Sequence, residues 1–199
     1  MSHDATTPPF ATPPFATPPF ATEETYLHAT DRGRDEAVVT LLCVEMAHER
    51  YGLPTASVRE IIKLVDITEV PRLPSFVLGV ISVRGEVIPV MDLRQRVGLG
   101  RSTPSRAMRI VIVQHGAQRF GLKVEGVAGL ASFRASAIEP APGIFGVTRG
   151  GAERYIGGLG RSVDEPTRIV MFLEIQPLLH LEEELDRHRK LRAQTESLT

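Results

Sequence analysis

The chain has 199 residues, of which 42% are hydrophobic, and a formal net charge of −1. This length allows one domain of ordinary size with tails, and the near-neutral charge argues against a generally basic nucleic-acid-binding protein. The single cysteine, Cys43, excludes an internal disulfide framework and a thiolate metal cluster. Because it lies in an apolar run, we expect it to be a small buried side chain.

The N-terminal region differs in composition from the rest of the chain. Residues 7–21 contain Thr-Pro-Pro-Phe-Ala three times in succession. Pro-Pro pairs favour an extended polyproline II conformation, and proline cannot donate a backbone hydrogen bond. We therefore expect residues 1–36 to form a disordered tail. Two interpretations of the repeat stay open: a spacer, which we favour, and a three-copy ligand for an aromatic-lined groove.

Short apolar and β-branched runs separated by turn residues predict a strand-rich domain from residue 37 onward. The type of the segment at 57–62 stays uncertain, and residues 139–153 are typical of a loop. Because a polar loop at 98–106 separates two similar strand-rich sections, we expect two barrel-like halves. The predicted strands are residues 38–46, 51–53, 76–83, 86–91, 109–114, 119–124, 127–133, 155–159 and 168–175.

Two helices are predicted. Asp92 is well placed to cap a short helix over 93–97. Near the C-terminus, Pro177 suits the first turn of a helix. Leu178, Leu181 and Leu185 would then share one face. We expect this helix to dock by its first turns and to fray after about residue 187.

The segment from Gly79 to Leu93 reads as a hairpin, because two apolar β-branched runs flank a polar Arg-Gly-Glu break. The hairpin would present the charged side chain of Arg84 on a fixed turn. Residues 84–109 carry six arginines against Glu86 and Asp92. This excess could attract an acidic partner or nucleic acid, but aromatic residues that would stack on bases are absent from it. A solvated face is the interpretation that we favour.

Signals of reaction chemistry are absent from the sequence. The six histidines lack the spacing of a metal site. The glycine-rich segments at 98–103 and 157–160 lack the residues that cradle a phosphate, and no nucleophile elbow occurs. We expect no enzyme activity, no cofactor and no metal. No apolar run reaches the ~18 residues of a membrane-spanning helix, and no secretory leader pattern is present, so a cytoplasmic protein is expected.

An ordered series of motifs resembles the CheW domain, the coupling module of bacterial chemosensory arrays. The resemblance covers about residues 37–181. Two positions depart from the family pattern, where Ser82 replaces a frequent Asn and Glu125 replaces the usual Asp. The matching runs are Val58-Arg59-Glu60-Ile61, Val70-Pro71-x-x-Pro74, Gly79-Val80-x-x-x-Arg84-Gly85-x-Val87-Ile88-Pro89-Val90-x-Asp92-Leu93-Arg94, Phe120-Gly121-Leu122-x-Val124-Glu125-Gly126-Val127 and Tyr155-Ile156-Gly157-Gly158-Leu159-Gly160.

The N-terminal repeat and the predicted C-terminal helical extension over 182–199 lie outside the family pattern. For the rest of the chain, the resemblance implies a mainly β fold of two intertwined SH3-like five-stranded β-barrels. It implies a non-enzymatic adaptor at cytoplasmic receptor arrays, bridging the tips of methyl-accepting chemoreceptors and the regulatory domain of a CheA-type histidine kinase. Neither nucleic acid nor membrane insertion is implied. By the same likeness the residues at or near partner contacts are Val58, Glu60, Gly79, Arg84, Gly85, Val124 and Gly158.

Two questions about these residues follow. Glu60 is expected to orient Arg84, and the alternative is an ordinary surface pair worth ~0–1 kcal/mol. The three glycines either contact a partner or serve only the backbone conformation. For the whole chain, the alternatives to the receptor–kinase adaptor are a CheW-like scaffold in a non-flagellar pathway of surface motility or development, a small nucleic-acid-binding barrel and, last, an enzyme.

Overall fold

A computed structural model describes residues 37–140 and 152–180 of the chain. These residues form strands, two short α-helices and three 3-10 turns, at Thr55–Ser57, Ala135–Ala137 and Ala152–Tyr155. The strands are β1 (Val38–Met46), β2 (Glu49–Pro54), β3 (Val58–Lys63), β4 (Val77–Val83), β5 (Glu86–Asp92), β6 (Arg109–His115), β7 (Gln118–Val124), β8 (Gly126–Arg134), β9 (Glu139–Pro140), β10 (Ile156–Arg161) and β11 (Ile169–Leu173), and the α-helices are α1 (Leu93–Arg96) and α2 (Ile175–Leu179).

The strands form two sheets. The first lobe has the strand order β8-β1-β2-β11-β10-β9, and the second lobe has the order β3-β6-β7-β5-β4. Each lobe contains one parallel pair, β2 with β11 and β5 with β7, among antiparallel neighbours. The two lobes are intertwined in sequence, because β1 and β2 join strands that follow β7. The mainly β, two-lobed prediction is confirmed, and the two-residue β9 gives the first lobe a sixth strand.

Both faces of the central strands are buried, which explains their nearly continuous apolar sequences. In β1, Leu41 and Cys43 point into the core of the first lobe, while Leu42 and Val44 point into a core shared by both lobes. The second lobe repeats this arrangement in β6. There Ile110 and Ile112 line the lobe's own core, and Val111 and Val113 line the shared core. The lobes therefore pack as one unit through the shared core.

Several local predictions are confirmed. The strand at 38–46 has the predicted limits, and the hairpins of β4 with β5 and of β6 with β7 form with the predicted turns. The Asp92 Oδ1 atom accepts a hydrogen bond of 3.1 Å from the Gln95 N–H and so caps α1. The segment of uncertain type, 57–62, is the end of a 3-10 turn followed by β3.

The loop at 98–106 does not divide the lobes, so that prediction is wrong. Strands on both of its sides, β5 and β7, pair directly in the second lobe. The chain changes lobe instead at the 3-10 turn of Thr55–Ser57 and again between β7 and β8. Long-range pairing decided this division, and no local signal in the sequence marks it.

The C-terminal elements also differ from prediction. Tyr155 belongs to a 3-10 turn, β11 ends at Leu173, and α2 begins at Ile175, two residues before Pro177. The helix ends at Leu179, because His180 has an extended backbone with ψ 95°. Of the predicted apolar face, Leu178 lies in α2, and Leu181 and Leu185 lie outside the described residues. The predicted disordered tail, the middle of the predicted loop and the extension after 181 lie outside the described residues.

Within the described ranges, none of the helices combines the length and the apolar character required to cross a bilayer. The longest α-helix there has 5 residues, whereas a span needs about 20.

Candidate partner-binding surface

The turn between β4 and β5 places Arg84 at the tip of an exposed hairpin. Val83 pairs with Glu86, so the turn has two central residues, Arg84 with φ 52° and Gly85 with φ 84°. Two positive φ angles are typical of a type I′ turn, which matches the twist of the strands. The first position favours Asn, Asp or Gly, and an arginine there is strained. The Arg84 side chain is 82% exposed.

Glu60 on β3 holds this arginine. The Arg84 Nη2 atom donates a hydrogen bond of 2.9 Å to the Glu60 Oε2 atom. The expected contact between the two side chains is therefore present. Strands β3 and β4 are the opposite edges of the second lobe's sheet. The ion pair thus joins the two edges of the sheet at the hairpin tip, which requires the sheet to curl.

A pair of backbone hydrogen bonds covers the edge of β4 further from the hairpin tip. We term this contact between β4 and the segment that follows β3 the seam. The N–H groups and carbonyls of Thr68 and Val80 bond each other at 2.9 Å in both directions. Thr68 follows β3 in the chain, so the connection from β3 returns to the edge of β4. The hairpin tip therefore projects from a sheet whose edge strand is covered near its root.

Gly79 lies at that root and is required by the backbone. It sits in a bulge of β4 with φ 140°, and a Cβ atom added there would lie 2.1 Å from the Thr68 carbonyl oxygen. Any side chain would therefore collide with the backbone that closes the seam. Because Gly79 is buried, its visible role is to permit this close approach.

The remaining candidate residues have different environments. Gly85 is exposed at the tip, with no atom within 4 Å of an added Cβ. Val58 begins β3 and is half-buried against the shared core. Val124 is 1% exposed inside that core. Gly158 is buried in β10 of the first lobe, beside a bulge opposite Phe172. Of the seven candidates, the structure therefore joins the half-buried Glu60 and the exposed Arg84 and Gly85 in one group at the hairpin tip.

A second turn with positive φ angles joins β1 and β2, and Glu125 binds it at the interface between the lobes. Ala47, with φ 52° in the turn between β1 and β2, donates its N–H to the Glu125 Oε2 atom at 2.7 Å. The Glu125 Oε1 atom accepts a bond of 2.5 Å from Arg94 of α1. One carboxylate thus connects a turn of the first lobe to a helix of the second.

Arg96 of α1 was not singled out from the sequence, yet it organises the C-terminal helix. Its guanidinium is stacked between Phe76 and Tyr155, at 4.5 Å and 4.9 Å from their ring centroids. It also donates to the carbonyl oxygens of Leu178 and His180, at 3.0 Å and 3.1 Å. These carbonyls are among those left free at the end of α2. An arginine on an apolar helix face was the only signal available in the sequence.

Asp92 carries a second function beyond capping α1. It is 1% exposed, and its Oδ2 atom accepts a bond of 2.8 Å from the Lys123 Nζ atom on β7. The ion pair is buried on the carboxylate side, where the side-chain exposure is 2%. The cap and the ion pair together fix the start of α1 against β7.

The one thiol of the chain is buried, as predicted. Burial raises the pKa of Cys43 from 9.0 to about 11, although the nearby Arg50 guanidinium opposes that shift. The thiol is therefore protonated and unreactive at neutral pH. Among residues 37–140 and 152–180, no three His, Cys, Asp or Glu side chains are grouped to hold a metal ion.

The fold and surface define a class of protein first: a two-lobed, mainly β module whose most distinctive exposed feature is a strained, ion-paired hairpin tip. Comparisons with known proteins then identify the family. The family model described as the CheW-like domain matches residues 40–183. The chain belongs to the CheW-like family.

Individual relatives agree with this assignment. The chain is 28% identical over 145 residues to the chemotaxis protein CheW of Helicobacter pylori, a match covering 73% of this chain and 84% of that protein. It is 30% identical over 142 residues to the CheW of Klebsiella aerogenes, covering 71% and 82% of the two chains. A crystal structure of the scaffolding protein TtCheW from Thermoanaerobacter tengcongensis superimposes with a TM-score of 0.62 at 30% identity, covering 71% of this chain and 92% of that one.

Proposed function

We propose that this chain is a non-enzymatic scaffold of a bacterial chemosensory array, which couples methyl-accepting chemoreceptors to a CheA-type histidine kinase. Membership of the CheW-like family and the likeness to a protein described as a scaffold support this role. The proposal includes a cytoplasmic location at the receptor array, because that is where the receptor tips and the kinase meet.

The observation that carries the proposal is the hairpin tip. Arg84 is held in a strained backbone conformation with an 82% exposed side chain. Backbone strain at an exposed position costs stability, and the exposed ion pair with Glu60 offsets little of that cost, so the strain supports a functional role for Arg84. A guanidinium is a permanently charged planar fork that binds a carboxylate through two hydrogen bonds. We infer that Arg84 engages an acidic group of a partner and that Glu60 holds the arginine in position until the partner binds.

The seven candidate residues divide by burial into two groups with different proposed roles. Glu60, Arg84 and Gly85 would contact the partner directly, with the half-buried Val58 beside Glu60 on β3. The buried Gly79, Val124 and Gly158 would act indirectly, by fixing the backbone on which contact residues lie. Substitution of a buried member would then reduce binding only together with a loss of stability.

The test is a pull-down from host lysate with wild type, Arg84→Glu and Arg119→Glu. Arg119 is the matched control, because it is an exposed arginine of the second lobe with its own ion pair to Glu86 at 2.6 Å. Recovery of chemoreceptors and a histidine kinase by wild type and Arg119→Glu, with receptors lost from Arg84→Glu, is expected. Recovery of neither class by folded wild type would contradict the adaptor function.

Two substitutions of Glu60 test the pairing while Arg84 keeps its charge. If Glu60 serves to position the tip, Glu60→Ala should weaken receptor binding, and Glu60→Asp, which keeps the carboxylate, should weaken it less. Receptor binding by Glu60→Ala equal to that of wild type would reduce the pair to a surface contact without a positioning role.

A further inference from the structure

Arg72 is a second exposed arginine with a strained backbone. It has φ 69°, and among the described non-glycine residues the others with positive φ are Ala47, His48 and Arg84. A bulky side chain is uncommon in this conformation, because its Cβ atom approaches a backbone carbonyl oxygen. Arg72 is exposed, so burial of its side chain does not compensate for the strain. The fold itself therefore does not explain why an arginine occupies this position.

The turn that contains Arg72 is fixed by a proline on each side. Pro71 and Arg72 are the two central residues of the turn, and a proline followed by a positive φ is typical of a type II turn, whose second position favours Gly or Asn. Pro74 is buried, and its carbonyl oxygen accepts the Val77 N–H at 2.9 Å. Because a proline also restricts the residue before it, the backbone around Arg72 has little freedom.

The Pro71-x-x-Pro74 motif does not act here as a polyproline ligand. Such a ligand needs φ near −75° along the whole motif, and the φ of 69° at Arg72 interrupts that conformation. The turn presents instead a guanidinium close to Val70, whose side chain is 39% exposed. Arginine is enriched at protein–protein interfaces, where apolar neighbours exclude water from its contacts. The segment therefore has the composition of a small contact surface.

The Arg72 guanidinium has no carboxylate partner within residues 37–140 and 152–180. Glu69 is the nearest acid in the sequence, and its backbone lies beside Gly79, where an added Cβ would be 3.0 Å from the Glu69 Cα atom. It forms no ion pair with Arg72. A guanidinium binds a carboxylate through two hydrogen bonds in a planar fork. The turn therefore suits an acidic group on another protein.

The turn of Arg72 and the hairpin tip of Arg84 lie at opposite ends of β4. Thr68 and Val80 pair in the antiparallel sense, so the chain that follows Thr68 runs away from the hairpin tip. The 7 residues of β4 span ~20 Å at ~3.3 Å per residue. One carboxylate cannot reach both arginines across this distance, so the two sites require two different acidic groups.

We propose that Arg72 binds an acidic group of the kinase regulatory domain while Arg84 binds the receptor, so that the second lobe carries one contact for each partner. This inference rests on the proposed function, because it takes the kinase as the second partner. A scaffold has to bind both partners at once, and the length of β4 keeps the two contacts apart. Backbone strain is then retained at both arginines for the same reason, the rigid presentation of a charged fork.

The test titrates wild type, Arg72→Asn and Arg84→Asn with the purified kinase regulatory domain and, separately, with the cytoplasmic receptor fragment of the host. Asn favours the second position of a type II turn, so Arg72→Asn keeps the turn and removes the charge. It should weaken kinase binding about ten-fold, leave receptor affinity unchanged and unfold at or above the midpoint of wild type. Its kinase affinity should also fall less steeply with added salt. Arg84→Asn should weaken receptor binding and leave kinase affinity unchanged.

Arg106→Asn is the matched control, because Arg106 is an exposed arginine of the second lobe without a positive φ. Its kinase affinity should equal that of wild type. Arg72→Lys keeps the charge without the planar fork and should recover part of the kinase affinity that Arg72→Asn loses.

Three results would overturn the inference and leave the proposed function standing. These are unchanged kinase affinity in Arg72→Asn, a loss of receptor affinity in that variant, and an equal loss of kinase affinity in Arg106→Asn. Folded wild type that binds neither the kinase domain nor the receptor fragment would instead contradict the proposed function, and this inference would fail with it.

Discussion

Two hairpin turns of this protein share a backbone conformation and differ in everything around it. In the β1–β2 turn, Ala47 and His48 have φ values of 52° and 69°, and in the β4–β5 turn Arg84 and Gly85 have 52° and 84°. The first turn is fixed by the Glu125 carboxylate to α1 of the other lobe. The second projects into solvent, and within the described ranges its Arg84 side chain bonds to Glu60. We term them the anchored turn and the projecting turn.

The difference shows how one strained geometry serves two purposes. At the anchored turn, the cost of a positive φ at Ala47 is offset by a hydrogen bond that joins the lobes. At the projecting turn, an exposed salt bridge offsets little, since such pairs contribute at most ~1 kcal/mol. The conformation of Arg84 is therefore not explained by folding alone. In the proposed function, this conformation presents a charged fork to a partner.

The largest effect is expected at the root of the projecting turn, in Gly79→Ala. An added Cβ would lie 2.1 Å from the Thr68 carbonyl oxygen at a φ of 140°, so the backbone seam must open. We expect a loss of at least ~3 kcal/mol in the free energy of unfolding, measured in urea. Gly85→Ala is the control, because its added Cβ meets nothing within 4 Å. Gly85→Ala should lower the free energy of unfolding by only ~1 kcal/mol. Equal losses in the two variants would contradict the close backbone approach at Gly79.

The next largest expected effect distinguishes the two carboxylates that bind the turns, Glu125 at the anchored turn and Glu60 at the projecting turn. Glu125→Ala leaves the Ala47 N–H and the partly buried Arg94 without their acceptor, and should cost ~2 kcal/mol. Glu60→Ala should cost less than ~1 kcal/mol, because Arg84 stays solvated. Glu125→Gln, which keeps an acceptor for the Ala47 N–H, should recover part of the loss. Similar urea midpoints for Glu125→Ala and Glu60→Ala would remove the distinction between the turns.

Alkaline pH tests the burial of the anchored hairpin, whose strand β1 carries Cys43. The pKa of the Cys43 thiol in the folded protein, about 11, lies above the 9.0 of a free thiol. Stability from the protonated thiol is therefore complete below pH 9 and is lost as the pH rises from 9 through about 11. At pH 10, wild type should have lost ~1.4 kcal/mol more than Cys43→Ala has lost, relative to pH 8. Parallel curves for the two proteins would show that the thiol is not buried in this way.

The smallest effect measures the strain itself. Glycine adopts positive φ without a Cβ penalty, so Ala47→Gly and Arg84→Gly should each relieve ~1 kcal/mol of strain. Part of this gain is offset by the greater freedom of the unfolded chain. Thermal unfolding should show neither variant below wild type by more than a degree or two. A clear loss for Arg84→Gly would mean that its salt bridge contributes more than its exposure allows.

Local signals in the sequence were sufficient to predict most secondary-structure elements, but they did not predict how the strands are divided between the two lobes. The Asp92 cap, the Arg84-Gly85 turn and the limits of β1 follow from residues within a few positions of each other. The division into lobes does not, because β2 pairs with β11 over a separation of more than 100 residues. Glu125 and Arg96 were missed for the same reason. Their partners lie up to 84 positions away in the chain, and no local pattern identifies them.

The candidate site was predicted in part. The Glu60–Arg84 contact was predicted because both residues were expected to border one surface, and the structure contains this contact. Val124 and Gly158 lie inside the fold, and a motif match alone does not distinguish a residue that touches a partner from one that supports the touching residue. Burial makes that distinction, and it is set by the packing of both lobes around the shared core.

The most direct test of the central claim is the affinity of purified wild type and Arg84→Asn for the cytoplasmic fragment of a host chemoreceptor, measured beside their unfolding midpoints. Asn favours the first position of a type I′ turn, so the variant keeps the hairpin and removes the charge. We predict at least a ten-fold weaker affinity with an unfolding midpoint equal to or above that of wild type. Unchanged affinity in a stably folded Arg84→Asn protein would contradict the assignment of the projecting turn as a partner contact.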